Sequence, residues 1–224
     1  MSAGAVETAR CYEGSVKFSE ELIDTAEYQR LRARYEPLAQ SVRALIDACI
    51  RTEADQDEVD RARRTIDEVT ALLTERQIDG THGVRFMPDG QGVTWGNPVI
   101  GVRNPIAPPV EIHREPGGRV WTEFVLGAPY EGPPGHVHGG MSALILDHLL
   151  GEAASDGLTK PNFTGTISCR YLRGTPLGAL RAEAFIERVD GVKTYARGHI
   201  ADADGPTVQA EGVFITPAWA REEN

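Results

Sequence analysis

Residues 132–147 read Gly-Pro-Pro-Gly-His-Val-His-Gly-Gly-Met-Ser-Ala-Leu-Ile-Leu-Asp, and no other stretch restricts the fold as much. Two prolines and two glycines bar the first half from helix and force a turn-rich loop. From Met141 to about Ala154 the chain has few breakers and is apolar nearly all round, which predicts a buried helix. Asp147 interrupts that run. A lone carboxylate there is costly unless something local stabilises it. The entry to the helix offers a reason for it. The first N–H groups of a helix lack internal partners and carry partial positive charge. With no side chains at Gly139 and Gly140, a ligand oxygen can approach those amides closely. Amides that hold an oxygen, with a carboxylate in an apolar setting, are equipment for acyl transfer.

Downstream of the helix the chain alternates like an antiparallel sheet. Val110 to Glu115 and Arg119 to Leu126 flank the turn sequence Pro116-Gly117-Gly118 and read as a hairpin. Further strands are expected over Thr164 to Arg173, Leu180 to Val189, Lys193 to Asp202 and Thr207 to Thr216. Thr175-Pro176-Leu177-Gly178, Asp190-Gly191 and Asp204-Gly205 divide them. Ala182, Ala184 and Ile186 recur at every second position, with Arg181, Glu183 and Glu187 beside them, and Val208, Ala210, Gly212 and Phe214 do the same, so one face is covered and the other more polar. A buried helix wrapped by about six strands is an α+β layout.

These residues resemble the hotdog-fold acyl-CoA thioesterases of the PaaI type. The pattern is His138-Gly139-Gly140, six residues, then Asp147, with the Gly-Pro-Pro-Gly lead-in of one branch of that family. Residues 163–173 are similar to the family strand that follows the central helix, and the likeness spans about residues 95 to 216. The resemblance implies a hotdog fold, an antiparallel sheet wrapped around a central helix, and hydrolysis of acyl-CoA or another acyl thioester without a cofactor. It implies that Asp147 attacks the thioester carbonyl or activates a water, that Gly139 binds the carbonyl oxygen, and that His138 and Thr164 assist. Thr166 or Ser168 takes the place of Thr164 if the register differs. Some members carry Asn or Gln upstream as a second carbonyl partner, where this chain has Gly132.

Spacing adds a constraint. Eight residues separate Gly139 from Asp147, roughly 12 Å along a helix, so one carbonyl cannot touch both within a subunit. If both act, a two-fold partner must bring its own Asp147 to the first subunit's Gly139. The expected partner is a second copy, as a homodimer or a dimer of dimers. Gly140, Ala143, Arg170 and Arg173 are candidate substrate-binding residues, the arginines because guanidinium forks suit phosphates. Ala143 and Ala154, with Leu150, suggest an apolar acyl channel beside the helix.

Plainer readings stand beside these. Asp147 can cap buried backbone donors, the glycines can serve close packing, and Arg170 can be a surface residue. His136 and His138 invite a metal reading but lack a third ligand at matching spacing. Ser142 and Cys169 have no charge-relay set. A hotdog dehydratase or hydratase would pair Asp147 with His148, yet adjacent helical residues point about 100° apart. A non-catalytic acyl-CoA or partner-binding module has no use for Asp147.

The remaining chain is an N-terminal extension and connector, residues 1–94, before the hotdog domain, 95–224. Ser19 with Glu20 and Glu21 is a reasonable helix start. Apolar residues then recur at Leu31, Tyr35, Leu38, Val42, Leu45, Ile46 and Cys49, with Pro37 as a kink or break. A second helix is expected from about Asp55 to Gln77, ended by Asp79-Gly80. The two read as an antiparallel hairpin docked by its apolar stripes. Residues 81–109 are a Gly- and Pro-rich connector. A net charge of −10 without a basic stripe disfavours nucleic acid. No run is long enough to span a membrane and no secretory leader is evident. Cys11, Cys49 and Cys169 are scattered, which fits free thiols in a reducing cytoplasm.

Overall fold

The computed structural model describes residues 22–80, 82–88, 92–108, 110–156 and 160–221. Helices α1 (Thr25–Arg51) and α2 (Gln56–Thr74) come first, then a two-stranded ribbon of β1 (Arg85–Phe86) and β2 (Gly92–Val93). After them follow β3 (His113–Arg114), β4 (Val120–Leu126), α3 (Gly139–Ser155), β5 (Phe163–Tyr171), β6 (Gly178–Asp190), β7 (Lys193–Asp202) and β8 (Gly205–Ile215). Strands β3 to β8 make one sheet in the order β3-β4-β6-β7-β8-β5. Every pairing in it is antiparallel. Helix α3 lies across β4 to β8. This is the α+β hotdog fold the sequence pointed to.

Burial along α3 follows from that docking. Ile145, Leu146, Leu149 and Leu150 are fully buried and meet Phe124, Ala182, Ile200, Val208 and Phe214 of the sheet in one core. The opposite stripe, Gly140, Leu144, Asp147 and Gly151, is only partly covered or exposed. A helix expected to be buried all round therefore has one open face, and Asp147 is on it. The helix ends at Asp156, whose φ of 52° is left-handed, a conformation a short polar side chain tolerates better than most.

Turn chemistry sets the sheet's edges. Gly117 and Gly118 both take positive φ between β3 and β4, as a tight reversal requires. The β3 ladder is shorter than Val110 to Glu115, because the Val110 N–H still donates to the Pro108 carbonyl in a turn. Strand β5 lies at the far edge with its outer side unpaired among the described residues.

The N-terminal helices depart further from expectation. Ser19 to Glu21 lie outside the described residues; α1 starts at Thr25, where Asp24 accepts the Glu27 N–H at 2.8 Å. Pro37 sits inside an unbroken α1. A second small core of Ile23, Met87, Val93 and Trp95 holds the start of α1 to the ribbon, and the Arg43 guanidinium donates to the carbonyls of Ala107 and Asn104. Helix α2 opens on a capping box between Asp55 and Glu58. It ends at Thr74, five residues before Asp79. None of its residues is buried. Its apolar stripe is real, but it does not dock: Val59, Val69, Leu72 and Leu73 remain exposed.

Candidate active site at the start and open face of the central helix

The loop before α3 folds tightly on itself. A Cβ on Gly132 would stand 2.7 Å from the His138 Cα, so the chain passes there only as glycine. Gly135 takes φ 73° and its N–H donates to the Glu131 carboxylate at 2.6 Å. Val137 is buried, and its N–H bonds to the Thr175 carbonyl at 2.8 Å. These contacts place His138 as the N-cap of α3.

His138 consumes most of the local donors. Its Nδ1 accepts the Gly140 N–H at 3.0 Å, which leaves the ring proton on Nε2. Its carbonyl accepts from Met141 and Ser142. The Gly139 N–H, first in the helix, has no acceptor among the described residues. Of the two glycine amides expected to meet a ligand, Gly139 is open and Gly140 is already bonded. The Tyr171 hydroxyl donates to the Gly139 carbonyl at 2.8 Å and fixes the peptide from β5. A cavity of about 410 Å³ opens beside it, with Gly139, Ser142, Tyr171, Arg173 and Thr175 in its walls.

Asp147 sits two turns further along. The Thr164 hydroxyl donates to its Oδ1 at 3.0 Å, so Thr164, rather than Thr166 or Ser168, touches the acid. Burial first, and then Asp147, push the Cys169 thiol up from its ordinary value, which keeps it protonated and a poor nucleophile. Ser142 is buried. Within one subunit Asp147 and Gly139 remain apart on the helix.

The arginines differ. Arg173 is committed to Asp202, with Nη1 to Oδ2 at 2.7 Å and the second fork closing on Oδ1. That guanidinium pulls the Asp202 carboxyl down to about 2. Arg170 is exposed on β5 and has no carboxylate partner among the described residues. Ala143 flanks the open face, but Leu150 and Ala154 belong to the core under the sheet and line no open channel.

A second acid on α3 was not singled out in the sequence. Glu152 keeps 1% side-chain exposure and is held by Arg114 Nη2 at 2.5 Å. His148 Nε2 lies 3.5 Å from Glu152 but makes no hydrogen bond and is buried. A dehydratase would need that nitrogen facing substrate, and it faces Glu152. Burial pushes the His148 pKa below its usual 6.5, against the pull of Glu152 and Asp147. The folded state therefore prefers neutral imidazole. The unfolded chain takes up the proton first as pH falls through about 6.5, so His148 supplies stability above that value that is lost on acidification. Replacement by Gln is expected to flatten the fall in urea-unfolding stability between pH 7 and 5 by up to about 1.4 kcal/mol per pH unit. An unchanged slope would mean that His148 titrates normally.

Known proteins resemble the chain at two levels. The thioesterase superfamily pattern matches residues 134–209. A solved thioesterase superfamily protein is 37% identical, with a TM-score of 0.73 over 81% of this chain and 90% of that one. The match extends beyond residues 95–224 and so takes in part of the helical extension. A phenylacetic acid degradation-related protein from Ralstonia eutropha JMP134 is 21% identical over 47% of this chain and 83% of that one, with a TM-score of 0.44. A hypothetical thioesterase from Streptococcus pneumoniae TIGR4, solved with coenzyme A, is 18% identical over 48% and 85%, with a TM-score of 0.45.

Proposed function

The chain belongs to the thioesterase superfamily, and we propose that it is an acyl-CoA hydrolase of the PaaI type whose site is shared between two subunits. The observation that carries this reading is Asp147 on the open face of α3, hydrogen-bonded by Thr164, on the same helix whose first amide, Gly139, is unbonded. In the proposed reaction the thioester carbonyl oxygen accepts the Gly139 N–H, with the His138 Nε2–H beside it as a second donor. Asp147 of a second copy takes a proton from water as the water oxygen bonds to the carbonyl carbon. The C–S bond then breaks, and the thiolate leaves to be protonated as the free thiol. Direct attack by Asp147 to give an anhydride, then hydrolysed, has the same balance. Thr164 holds the carboxylate in line. Removing a positioned base typically costs two to four orders of magnitude in rate.

Pairing with a second copy is supported by the open edge of β5 and the open stripe of α3, which lie side by side. A nine-residue unpaired edge is a ready template for another strand. That surface supports a dimer or a dimer of dimers. Arg170, on the same edge and without a carboxylate partner among the described residues, is the better candidate for a CoA phosphate; Arg173 would have to leave Asp202. Residues 95–224 are assigned as the catalytic domain and 1–94 as its extension and connector.

The test is thiol release from short-, long-chain and aromatic acyl-CoAs. Turnover of one class above the spontaneous rate is expected. No release from any of them would leave a binding module as the better reading.

A further inference from the structure

A cavity of about 1090 Å³ lies away from Asp147, between α1, the end of α2 and the segment up to Pro105. It shares no wall with the cavity beside Gly139. Leu38 and Val42 of α1, with Leu73 and Ile78, supply an apolar side. Arg76, His82 and Arg103 supply the other, and among the described residues no Asp or Glu lines the space. That is a pronounced bias in a chain with 33 acids against 23 Lys and Arg.

The Arg103 guanidinium lies 3.6 Å over the Tyr35 ring, which fixes its position without neutralising it. Among the described residues neither Arg103 nor Arg76 has a carboxylate partner. Burial first, and then Arg103 and Arg85, hold the His82 pKa below its usual value. At neutral pH His82 is therefore an uncharged hydrogen-bonding group, and the two guanidiniums carry the charge.

We infer that this cavity binds an apolar monocarboxylate, a free fatty acid, with its head group on Arg103 and Arg76 and its chain along Leu38, Val42, Leu73 and Ile78. Pockets of several hundred Å³ with apolar walls and a few convergent polar groups are the usual form of small-molecule sites. One fixed guanidinium with a second at the rim matches a single carboxylate. A ligand with several phosphates would need more cations than the walls provide. The inference does not depend on hydrolysis at Asp147.

Calorimetric titration of the full chain with dodecanoate tests it. Saturable binding at one site per chain is expected, with dodecanol bound about tenfold or more weakly, the loss typical of one charge-assisted hydrogen bond. Arg103→Gln and Arg76→Gln should each weaken dodecanoate to a similar degree. Arg76 is exposed beyond the end of α2, so its replacement leaves the fold intact even if Arg103→Gln does not. Methyl NMR shifts are expected at Val42 and Leu73 and not at Leu144. Absence of saturable binding, equal affinity for dodecanol, an unchanged Arg76→Gln variant, or shifts at Leu144 instead of Val42 would each overturn the assignment.

Discussion

Asp147→Asn is expected to lower the proposed acyl-CoA hydrolysis by about a thousandfold and to leave the fold unchanged. Asparagine has the same shape and keeps an oxygen for the Thr164 hydroxyl, so the 3.0 Å contact survives. What it cannot do is take a proton from water or attack the carbonyl. A positioned base typically contributes two to four orders of magnitude, and among the described residues no other carboxylate occupies the open face of α3. Glu152 is turned to Arg114 and cannot substitute. Thiol release with saturating substrate measures the loss, and thermal melting controls for folding. Less than about a tenfold loss would remove Asp147 from the chemistry.

The largest effect on stability is expected from Arg114→Met. Glu152 has 1% side-chain exposure against 37% for Arg114, so the guanidinium acts as a lid over a carboxylate inside the protein. Taking it away leaves Glu152 beside a neutral His148, with no cation to offset desolvation. Removing one member of a buried pair costs about 3–5 kcal/mol. Arg114 is partly exposed, so about 3 kcal/mol is the expected figure, a sizeable share of a domain's stability. Urea unfolding at pH 7 checks it. The double variant Arg114→Met with Glu152→Leu should recover most of the loss, since an apolar replacement leaves no stranded charge. A cost below about 1 kcal/mol for the single variant would show that water reaches Glu152.

How much of this was legible in the residues depended on whether the cause was local. The strands end within a few residues of Asp190-Gly191 and Asp204-Gly205 because turn propensity acts on the nearest neighbours. Helix α3 was legible from an apolar run entered through Gly-Pro-Pro-Gly. The period of α2 was also legible, but a period shows only that a face exists; whether anything covers it is a tertiary fact, and nothing described here does. Glu152 escaped notice because its meaning lies in Arg114, far away in sequence on β3. Tyr171 did so for the same reason: its hydroxyl reaches Gly139 from across the site. The Gly140 amide looked as open as that of Gly139, and only the rotamer of His138 separates them. Thr164 was reached through family resemblance, and the Asp147 contact set its register.

Subunit sharing can be tested with two single-site variants. Gly139→Pro removes the proposed carbonyl donor, and the Tyr171 ring, 3.3 Å from a Cβ placed at Gly139, has to give by a few tenths of an ångström to admit it. It is the first helical residue, a position where proline is favoured. His138 before it is already extended, with ψ 132°, as a residue preceding proline must be. Losing such a donor costs about 10²–10³ in rate, so this variant and Asp147→Asn should each be nearly inactive alone. When their subunits are exchanged into one dimer, one of its two sites has Gly139 from one chain and Asp147 from the other, both intact. Mixing is expected to restore thiol release to a substantial fraction of the wild-type rate. A mixture that exchanges subunits, as native mass spectrometry would show, yet stays as inactive as its parents would contradict the shared site.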